Sequence, residues 1–320
     1  MTRPGRKRLL IPLCALSVVI AVAATAQEGA STTDEPPGTL LERGRVIYTR
    51  YCIGCHGEKG DGEGPAAARL LVPPRDFTAG IFKFRSTRNG QLPLEDDLFR
   101  TITHGVKRTS MSGFPLVPAR DRRAVIEYLK RFSQRWQDPE EERTRVAIPE
   151  RPTNLDEPAM ARRGRLVYAA LGCFACHGKF GKGDGPSSAG MQDNWGHPIR
   201  PFDFTQGALK SGGEPEDIYR TFHTGLDGTP MPDYSDSVAY IHRDRLVTNA
   251  AAQGAFTQDE LERYRDVIGQ MPSRQELDKR LADPDEARHI TEQRSWELVA
   301  YILTLRQAQR RADVPGGGGS

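Results

Sequence analysis

Two five-residue stretches of this sequence place two cysteines and a histidine where they can act together. The first is Cys52-Ile53-Gly54-Cys55-His56 and the second is Cys173-Phe174-Ala175-Cys176-His177. A C-x-x-C spacing followed at once by histidine is the attachment motif of a c-type haem. Each thiol can add across one haem vinyl group, and the histidine can supply an imidazole nitrogen to the iron. The motifs therefore predict two covalently bound haem c groups, attached through Cys52, Cys55, Cys173 and Cys176, with His56 and His177 as iron ligands.

A C-x-x-C spacing alone would leave other kinds of site open. It also occurs in zinc half-sites and in redox-active dithiols, above all in cytosolic proteins. Here the motif occurs twice, in matched surroundings, behind an N-terminal export signal. Once Cys14 inside that signal is set aside, the two motifs use all four remaining cysteines. No disulfide is therefore expected, even in an oxidising compartment.

The first 26 residues have the composition of a secretory signal peptide. Four basic residues precede an apolar run of 16 residues from Leu9 to Ala24, and Ala24-Thr25-Ala26 is typical of a cleavage site. The run is shorter than the ~20 residues that a membrane-spanning helix needs. We therefore predict a periplasmic protein whose signal is cleaved near Ala26 and which has no stable membrane span afterwards.

The charge balance gives no indication of a nucleic-acid partner. The chain has 45 Lys and Arg against 42 Asp and Glu, for a net charge of +3. Four basic residues and no acidic ones lie in the signal, so 41 basic residues remain against 42 acidic ones in the mature chain, a charge of −1. A nucleic-acid-binding protein is expected to carry a basic surface instead.

The surroundings of the two motifs form an internal repeat, which predicts tandem domains. Pro65 and Pro186 each lie nine residues after the motif histidine, and Met111 returns as Met231. The pattern predicts an all-α fold of two tandem domains, the second with a helical insertion. The predicted divisions are a signal peptide at 1–26, a polar leader at 27–38, domain 1 at 39–136, a linker at 137–157, domain 2 at 158–311 with its insertion at about 236–292, and a flexible tail at 312–320.

Hydrophobic periodicity and capping residues predict the helices. One begins at a capping box, Thr39 to Glu42, and runs into the first motif. Another capping box, Thr257 to Glu260, begins a helix in the insertion. The remaining predicted helices are Leu94 to Ile102, Asp121 to Ser133, a stretch around Gln275 to Leu281, and Trp296 to Leu305.

These residues resemble the class I cytochrome c family, and specifically its exported bacterial diheme members. The resemblance covers roughly residues 40–133 and 160–306, apart from the insertion. In that family an N-terminal helix with a glycine and an aromatic residue crosses a C-terminal helix with another aromatic residue. The matching positions are Gly44, Tyr48 and Tyr128 in the first repeat, and Gly164, Tyr168, Trp296 and Tyr301 in the second.

The resemblance also implies the second iron ligand, a methionine in a loop before the last helix. Thr229-Pro230-Met231-Pro232 is similar to that loop, and Thr109-Ser110-Met111-Ser112 is similar with serine in place of the second proline. Met191 is the alternative methionine, and His104 and His223 lie near enough to the two loops to compete. In the family a proline carbonyl accepts a hydrogen bond from the histidine ligand, which implies this role for Pro65 and Pro186.

The implied ligand set bears on function, because an iron with both histidine and methionine bound has no open position for a substrate. Thioether sulfur also raises the reduction potential. The resemblance therefore implies a periplasmic diheme c-type cytochrome that transfers single electrons between redox partner proteins, a donor and an acceptor. It would act as a soluble carrier or as the electron-transfer subunit of a dehydrogenase or reductase complex, without a substrate site of its own. The alternative is a diheme enzyme of the peroxidase type, with one haem able to open.

Overall fold

The computed structural model describes residues 37–250 and 253–312. All the regular elements among them are helices, joined by loops rich in glycine and proline. This confirms the predicted all-α fold. The predicted signal peptide, the leader up to residue 36 and the tail from residue 313 lie outside the described residues.

Four α-helices form the first repeat, and their bounds differ slightly from the predicted ones. The first helix begins at Pro37 rather than at the capping box at Thr39, since proline suits the first turn of a helix. The helix predicted to end at Ser133 leaves α-helical geometry after Leu129 and continues as one 3₁₀ turn to Phe132. The four helices are α1 (Pro37–Tyr51), α2 (Ile53–His56), α3 (Glu95–His104) and α4 (Ala119–Leu129).

Helices α1 and α4 cross at Gly44, where they lie so close together that only glycine fits between them. A Cβ atom added there would lie 2.0 Å from the carbonyl oxygen of Ala124. Next to the crossing, the buried ring of Tyr48 packs against Tyr128 and Phe132, with ring centroids 5.3 and 5.2 Å away. The packing predicted for Gly44, Tyr48 and Tyr128 is therefore confirmed.

The second repeat follows the same plan with an insertion between its third and last helices. Its helices are α5 (Pro158–Ala170), α6 (Cys173–His177), α7 (Pro215–Thr224), α8 (Gln258–Arg263), α9 (Arg265–Gly269), α10 (Arg274–Leu281) and α11 (Pro284–Ala312). Helices α5 and α11 cross at Gly164, where an added Cβ would lie 1.8 Å from the carbonyl oxygen of Glu297. Tyr168 and Tyr301 pack edge to face beside it, with centroids 5.2 Å apart. The second crossing therefore repeats the first.

The insertion contains the predicted helices and packs on α5. Thr257 and Glu260 form the predicted capping box, although the helix is interrupted at Tyr264. Arg165 of α5 is buried and donates to the carbonyl of Ala255 at 2.6 Å, and its guanidinium lies 4.5 Å from the ring centroid of Phe256. The insertion is thus joined to the core of the second repeat.

The last helix is longer than predicted. It begins at Pro284, twelve residues before the predicted start at Trp296, because Asp283 caps it. The Asp283 carboxylate accepts from the backbone N–H groups of Asp285 at 2.8 Å and Glu286 at 3.3 Å. The chain therefore passes from the insertion back into the core of the second repeat within one continuous helix.

The two repeats meet at a contact surface, which we call the junction. Its clearest contact is Arg85, which is 1% exposed and donates to the carbonyl of Thr224 at 2.6 Å. The same guanidinium forms an ion pair with Asp227 at 2.8 Å. The junction consists of Arg75, Asp76, Lys83, Arg85 and Arg108 from the first repeat, and Trp195, Phe202, Lys210, Thr224 and Asp227 from the second. No helix in the described part of the chain is both long enough and apolar enough to span a bilayer.

Candidate haem sites

Each cysteine–histidine motif forms one short helical turn directly after the N-terminal helix of its repeat. In the first, the backbone N–H groups of Cys55 and His56 donate to the carbonyl of Cys52 at 3.1 and 2.9 Å. None of the four motif cysteines forms a disulfide within the described part of the chain. Burial raises the pKa of Cys52 and that of Cys173 to about 12. These thiols are therefore neutral at pH 7, whereas a redox-active dithiol has a lowered pKa.

A glycine-rich loop folds back over each motif. The N–H of Gly62 donates to the carbonyl of His56 at 3.0 Å, and that of Gly183 donates to His177 at 2.8 Å. Two residues on, Gly64 and Gly185 donate to the carbonyls of the second motif cysteines, both at 3.1 Å. A Cβ at Gly64 would lie 2.6 Å from a backbone oxygen of the motif, so these glycines let the loop run flat against it.

The histidine rings are oriented by backbone carbonyls. Nδ1 of His56 lies 3.1 Å from the carbonyl oxygen of Arg75, and Nδ1 of His177 lies 2.9 Å from that of Phe202. Because a carbonyl can only accept, the proton sits on Nδ1 and leaves Nε2 as the ligand atom. Burial lowers the pKa of both histidines, so both rings are neutral at pH 7.

These contacts correct the role predicted for Pro65 and Pro186, whose carbonyls are not the acceptors. The reason lies in the next part of the chain, where the N–H of Phe77 donates to the carbonyl of Gly60 at 2.7 Å. That bond brings the ring of Phe77 to within 4.5 Å of His56 and carries the carbonyl of Arg75 to Nδ1. The second repeat has the same arrangement, with Phe204 stacked on His177.

One cavity of about 2080 Å³ brings together the predicted ligands of the second repeat. Cys173, Cys176, His177 and Met231 all line it. The apolar side chains that line it with them include Phe204, Leu209, Ile218, Phe222 and Ile302. Two neutral thiols, a free imidazole nitrogen and a thioether thus line one cavity together with apolar side chains. This donor set fits a covalently attached haem c.

The two methionine loops have the same hydrogen bonds. The N–H of Val106 donates to the carbonyl of Met111 at 2.9 Å, and the N–H of Leu226 donates to that of Met231 at 3.1 Å. A threonine hydroxyl two residues before each methionine accepts from the methionine N–H. The serine after Met111 therefore leaves the loop unchanged. The assignment of Met111 and Met231 as iron ligands stays a prediction.

Two lysines at the junction were missed by the sequence reasoning. Lys83 and Lys210 each lie seven residues after an equivalent aspartate and line the cavity together with Arg75 and Arg108. Burial, followed by repulsion from Arg75 and Lys210, lowers the pKa of Lys83 to about 8. A buried cation needs a counter-charge, and haem carries two propionate groups. Lys83 and Lys210 would therefore supply positive charge for the propionates of a haem bound in this cavity.

The structure separates the two competing histidines. His104 is exposed at the end of α3. His223 is buried, with its ring stacked on Tyr219 at a centroid distance of 4.3 Å and Nε2 2.8 Å from the hydroxyl of Ser295. With Nε2 bonded to α11 and its ring enclosed, His223 belongs to the packing of the second repeat.

His223 is expected to make stability depend on pH. Burial lowers its pKa to about 4, whereas the unfolded chain titrates near 6.5, so only the unfolded state takes up the proton in between. The contribution of the neutral ring to the stability of the protein is complete above pH 6.5 and is lost as the pH falls towards 4. Between pH 7 and pH 5 the free energy of unfolding should fall by about 2 kcal/mol through this residue.

Urea unfolding at the two pH values measures this effect. His223→Gln can keep a hydrogen bond to Ser295 but cannot titrate, so its loss of stability between pH 7 and pH 5 should be smaller by that amount. If the variant and the natural protein lose the same stability, His223 is not the titrating group.

Comparisons with known proteins assign both repeats. The family model described as "Cytochrome C oxidase, cbb3-type, subunit III" matches residues 39–129, and the model described as "Cytochrome c" matches residues 161–306. A comparison with curated proteins finds no significant match.

A solved structure resembles nearly the whole chain. It belongs to the "reducing HAO-like protein complex Kustc0457/Kustc0458" of Kuenenia stuttgartiensis, with 31% identity and a TM-score of 0.63. The alignment covers 82% of this chain and 96% of that one. Cytochrome c domains hold covalently bound haem c and transfer electrons with redox partners. The chain belongs to the class I cytochrome c family, as a diheme member with two cytochrome c domains in tandem.

Proposed function

We propose that this chain is a periplasmic diheme cytochrome that passes single electrons between a donor protein and an acceptor protein. The observation that carries the proposal is the convergence of Cys173, Cys176, His177 and Met231 on one cavity. The first repeat has the same motif turn, histidine acceptor and methionine loop. Two such sites in one chain allow an electron to enter at one and leave at the other.

The protein side chains prepare each site for rapid electron exchange. Haem c bound here supplies a one-electron iron couple. The carbonyl of Phe202 keeps the proton on Nδ1 of His177, which orients the ring and strengthens Nε2 as a donor. Met231 lies in a loop that is closed by a hydrogen bond from the N–H of Leu226 to the carbonyl of Met231. The loop therefore needs little rearrangement when the iron changes charge. The apolar side chains beside His177 and Met231 favour the less charged, ferrous state.

The similar structure supports a role inside a larger assembly. That protein is part of a complex of two proteins, described as reducing and HAO-like. We therefore favour an electron-transfer subunit of an oxidoreductase complex over a freely diffusing carrier. The predicted signal peptide supports a periplasmic location.

The test begins with haem stoichiometry and a redox titration of the purified protein. Two haem groups per chain should stay attached after denaturation, and the titration should show two one-electron steps without turnover of peroxide. Cys14→Ala should retain both haem groups, since Cys14 lies in the predicted signal, whereas Cys173→Ala should weaken attachment in the second domain. A high-spin haem together with peroxide turnover would instead support the peroxidase-type enzyme.

Location and assembly need a separate measurement in cells. Fractionation should recover the protein from the periplasm, and native electrophoresis should show it migrating with an oxidoreductase partner. A protein that migrates at the mass of the single chain under the same conditions would support the soluble carrier instead.

A further inference from the structure

One loop of the second repeat is longer than its counterpart and reaches across the junction. Pro186 and Asp203 are 17 residues apart, whereas Pro65 and Asp76 are 11 apart, so the second loop has six extra residues. Trp195 lies in this loop. The guanidinium of Arg75 lies 4.3 Å from its ring centroid, and its Nε1–H donates to the carboxylate of Asp76 at 3.3 Å. A residue of domain 2 therefore holds two consecutive residues of domain 1.

Those two residues adjoin the first haem site directly. Arg75 supplies the carbonyl that accepts from Nδ1 of His56 at 3.1 Å. The position of this carbonyl depends on the backbone at Arg75, and Trp195 restrains that residue through its side chain. The restraint on His56 is thus completed by a residue outside its own domain.

On its other side, Trp195 contacts the methionine loop of its own domain. A Cβ added to Gly228 would lie 2.6 Å from the indole ring, so glycine is needed for this approach. The neighbouring Asn194 N–H donates to the carbonyl of Gly228 at 3.1 Å. Trp195 also lines the cavity that His177 and Met231 share. The indole therefore lies between the histidine acceptor of one site and the methionine loop of the other.

A second contact runs across the junction in the opposite direction. Arg108 belongs to the Met111 loop, and its guanidinium lies 5.3 Å from the ring centroid of Phe202. Phe202 supplies the carbonyl that accepts from His177. Arg108 is the only non-glycine residue with positive φ (62°) in the described part of the chain, and Gln206 accepts its hydrogen bond at 2.7 Å. Arg75 and Phe202 supply the carbonyls that accept from the two histidines, and the side chain of each thus contacts the opposite domain.

We infer that Trp195 is a positioning residue by which the second domain sets the reduction potential of the haem site at His56. The inference rests on the proposed function and adds a contact, between Trp195 and Arg75, that couples the two haem sites. A hydrogen bond to Nδ1 strengthens the imidazole as a donor, and a stronger donor stabilises the ferric state. Trp195 keeps that bond formed, so it holds the potential of the His56 site down.

The test is a redox titration of Trp195→Ala, with both haem groups in place. Losing the indole frees Arg75, weakens the bond to His56 and should raise the midpoint potential of the His56 step. If the ferrous-to-ferric ratio at a given potential rises about tenfold, the shift is ~59 mV for a one-electron couple. Met111→Ala identifies which of the two steps belongs to the His56 site.

Two further variants separate this role from general stabilisation. Trp195→Phe keeps a ring over Arg75. Its midpoint potential at the His56 step should therefore stay close to that of the natural protein. Trp136→Phe is the matched control: it also changes a half-buried indole, but its neighbours Phe82 and Lys130 lie in the first repeat and Arg143 lies in the linker, so none belongs to the second repeat. It should leave both potentials in place.

The outcomes are distinct from a failure of the proposed function. A rise at the His56 step that exceeds any change at the other step, and that Trp195→Phe reverses, supports the inference. No shift, equal shifts of both steps, or a Trp195→Phe variant that behaves like Trp195→Ala overturns it. A natural protein without two one-electron steps would instead contradict the proposed function itself.

Discussion

Replacing Met231 by alanine is expected to lower one of the two midpoint potentials sharply while leaving the other nearly unchanged. Thioether sulfur favours ferrous iron, so its loss stabilises the ferric state. Axial ligands span roughly 0.8 V in haem proteins, and losing this one should shift the potential by on the order of 200 mV. Met111→Ala should lower the other step in the same way. Potentiometry with optical detection measures both.

Met191→Leu is the matched control for these variants. Met191 also lines the cavity, and it is the methionine that could substitute for Met231. Its change to leucine removes a sulfur from the same space and should move neither potential. If Met191→Leu lowers a potential and Met231→Ala does not, the ligand is Met191. If neither Met111→Ala nor Met231→Ala changes a potential, both assignments are wrong.

Arg85→Gln is expected to cause a large loss of stability, although Arg85 lies outside the haem sites. The change removes the cation from Asp227, whose carboxylate is largely buried at 2.8 Å from it, and removes a donor to the carbonyl of Thr224. Leaving one member of a buried ion pair unpartnered costs about 3–5 kcal/mol. The urea midpoint should therefore fall clearly.

Arg145→Gln provides a control of the same chemistry. It breaks the ion pair between Arg145 and Asp96, which lies at 3.4 Å with both side chains exposed. Exposed pairs contribute about 0–1 kcal/mol, so this variant should unfold almost like the natural protein. The combination of Arg85→Met with Asp227→Leu should recover much of the stability, because no buried charge remains. Equal midpoints for Arg85→Gln and Arg145→Gln would show that the junction pair does not stabilise the protein.

Features set by local spacing could be predicted from the sequence. The C-x-x-C-H motifs, the repeat and the methionine loops all depend on short stretches whose residue types are required by geometry. The helix crossings at Gly44 and Gly164 were implied by the resemblance to the class I cytochrome c family. The two glycines lie eight and nine residues before the first cysteine of their motifs. The predicted division into domains is consistent with the two family matches, although its exact boundaries stay predictions.

Features that depend on contacts between distant segments could not be predicted. The acceptors for His56 and His177 follow from where Phe77 and Phe204 bring the returning chain, 21 and 27 residues after the histidines. The early start of α11 follows from the cap at Asp283, within a stretch that has weak apolar periodicity. Trp195 left only one trace in the sequence, the extra length of its loop, and that length does not say which domain the loop contacts.

The resting ferric protein offers the most direct test of the account that both haem sites are closed and six-coordinate. Electron paramagnetic resonance and near-infrared absorption should be recorded on one sample of known haem content. The account predicts only low-spin haem, with iron–methionine absorption of the intensity expected for two haem groups per chain. A high-spin signal, or absorption from one haem alone, would contradict it and would show that one of the two sites is open.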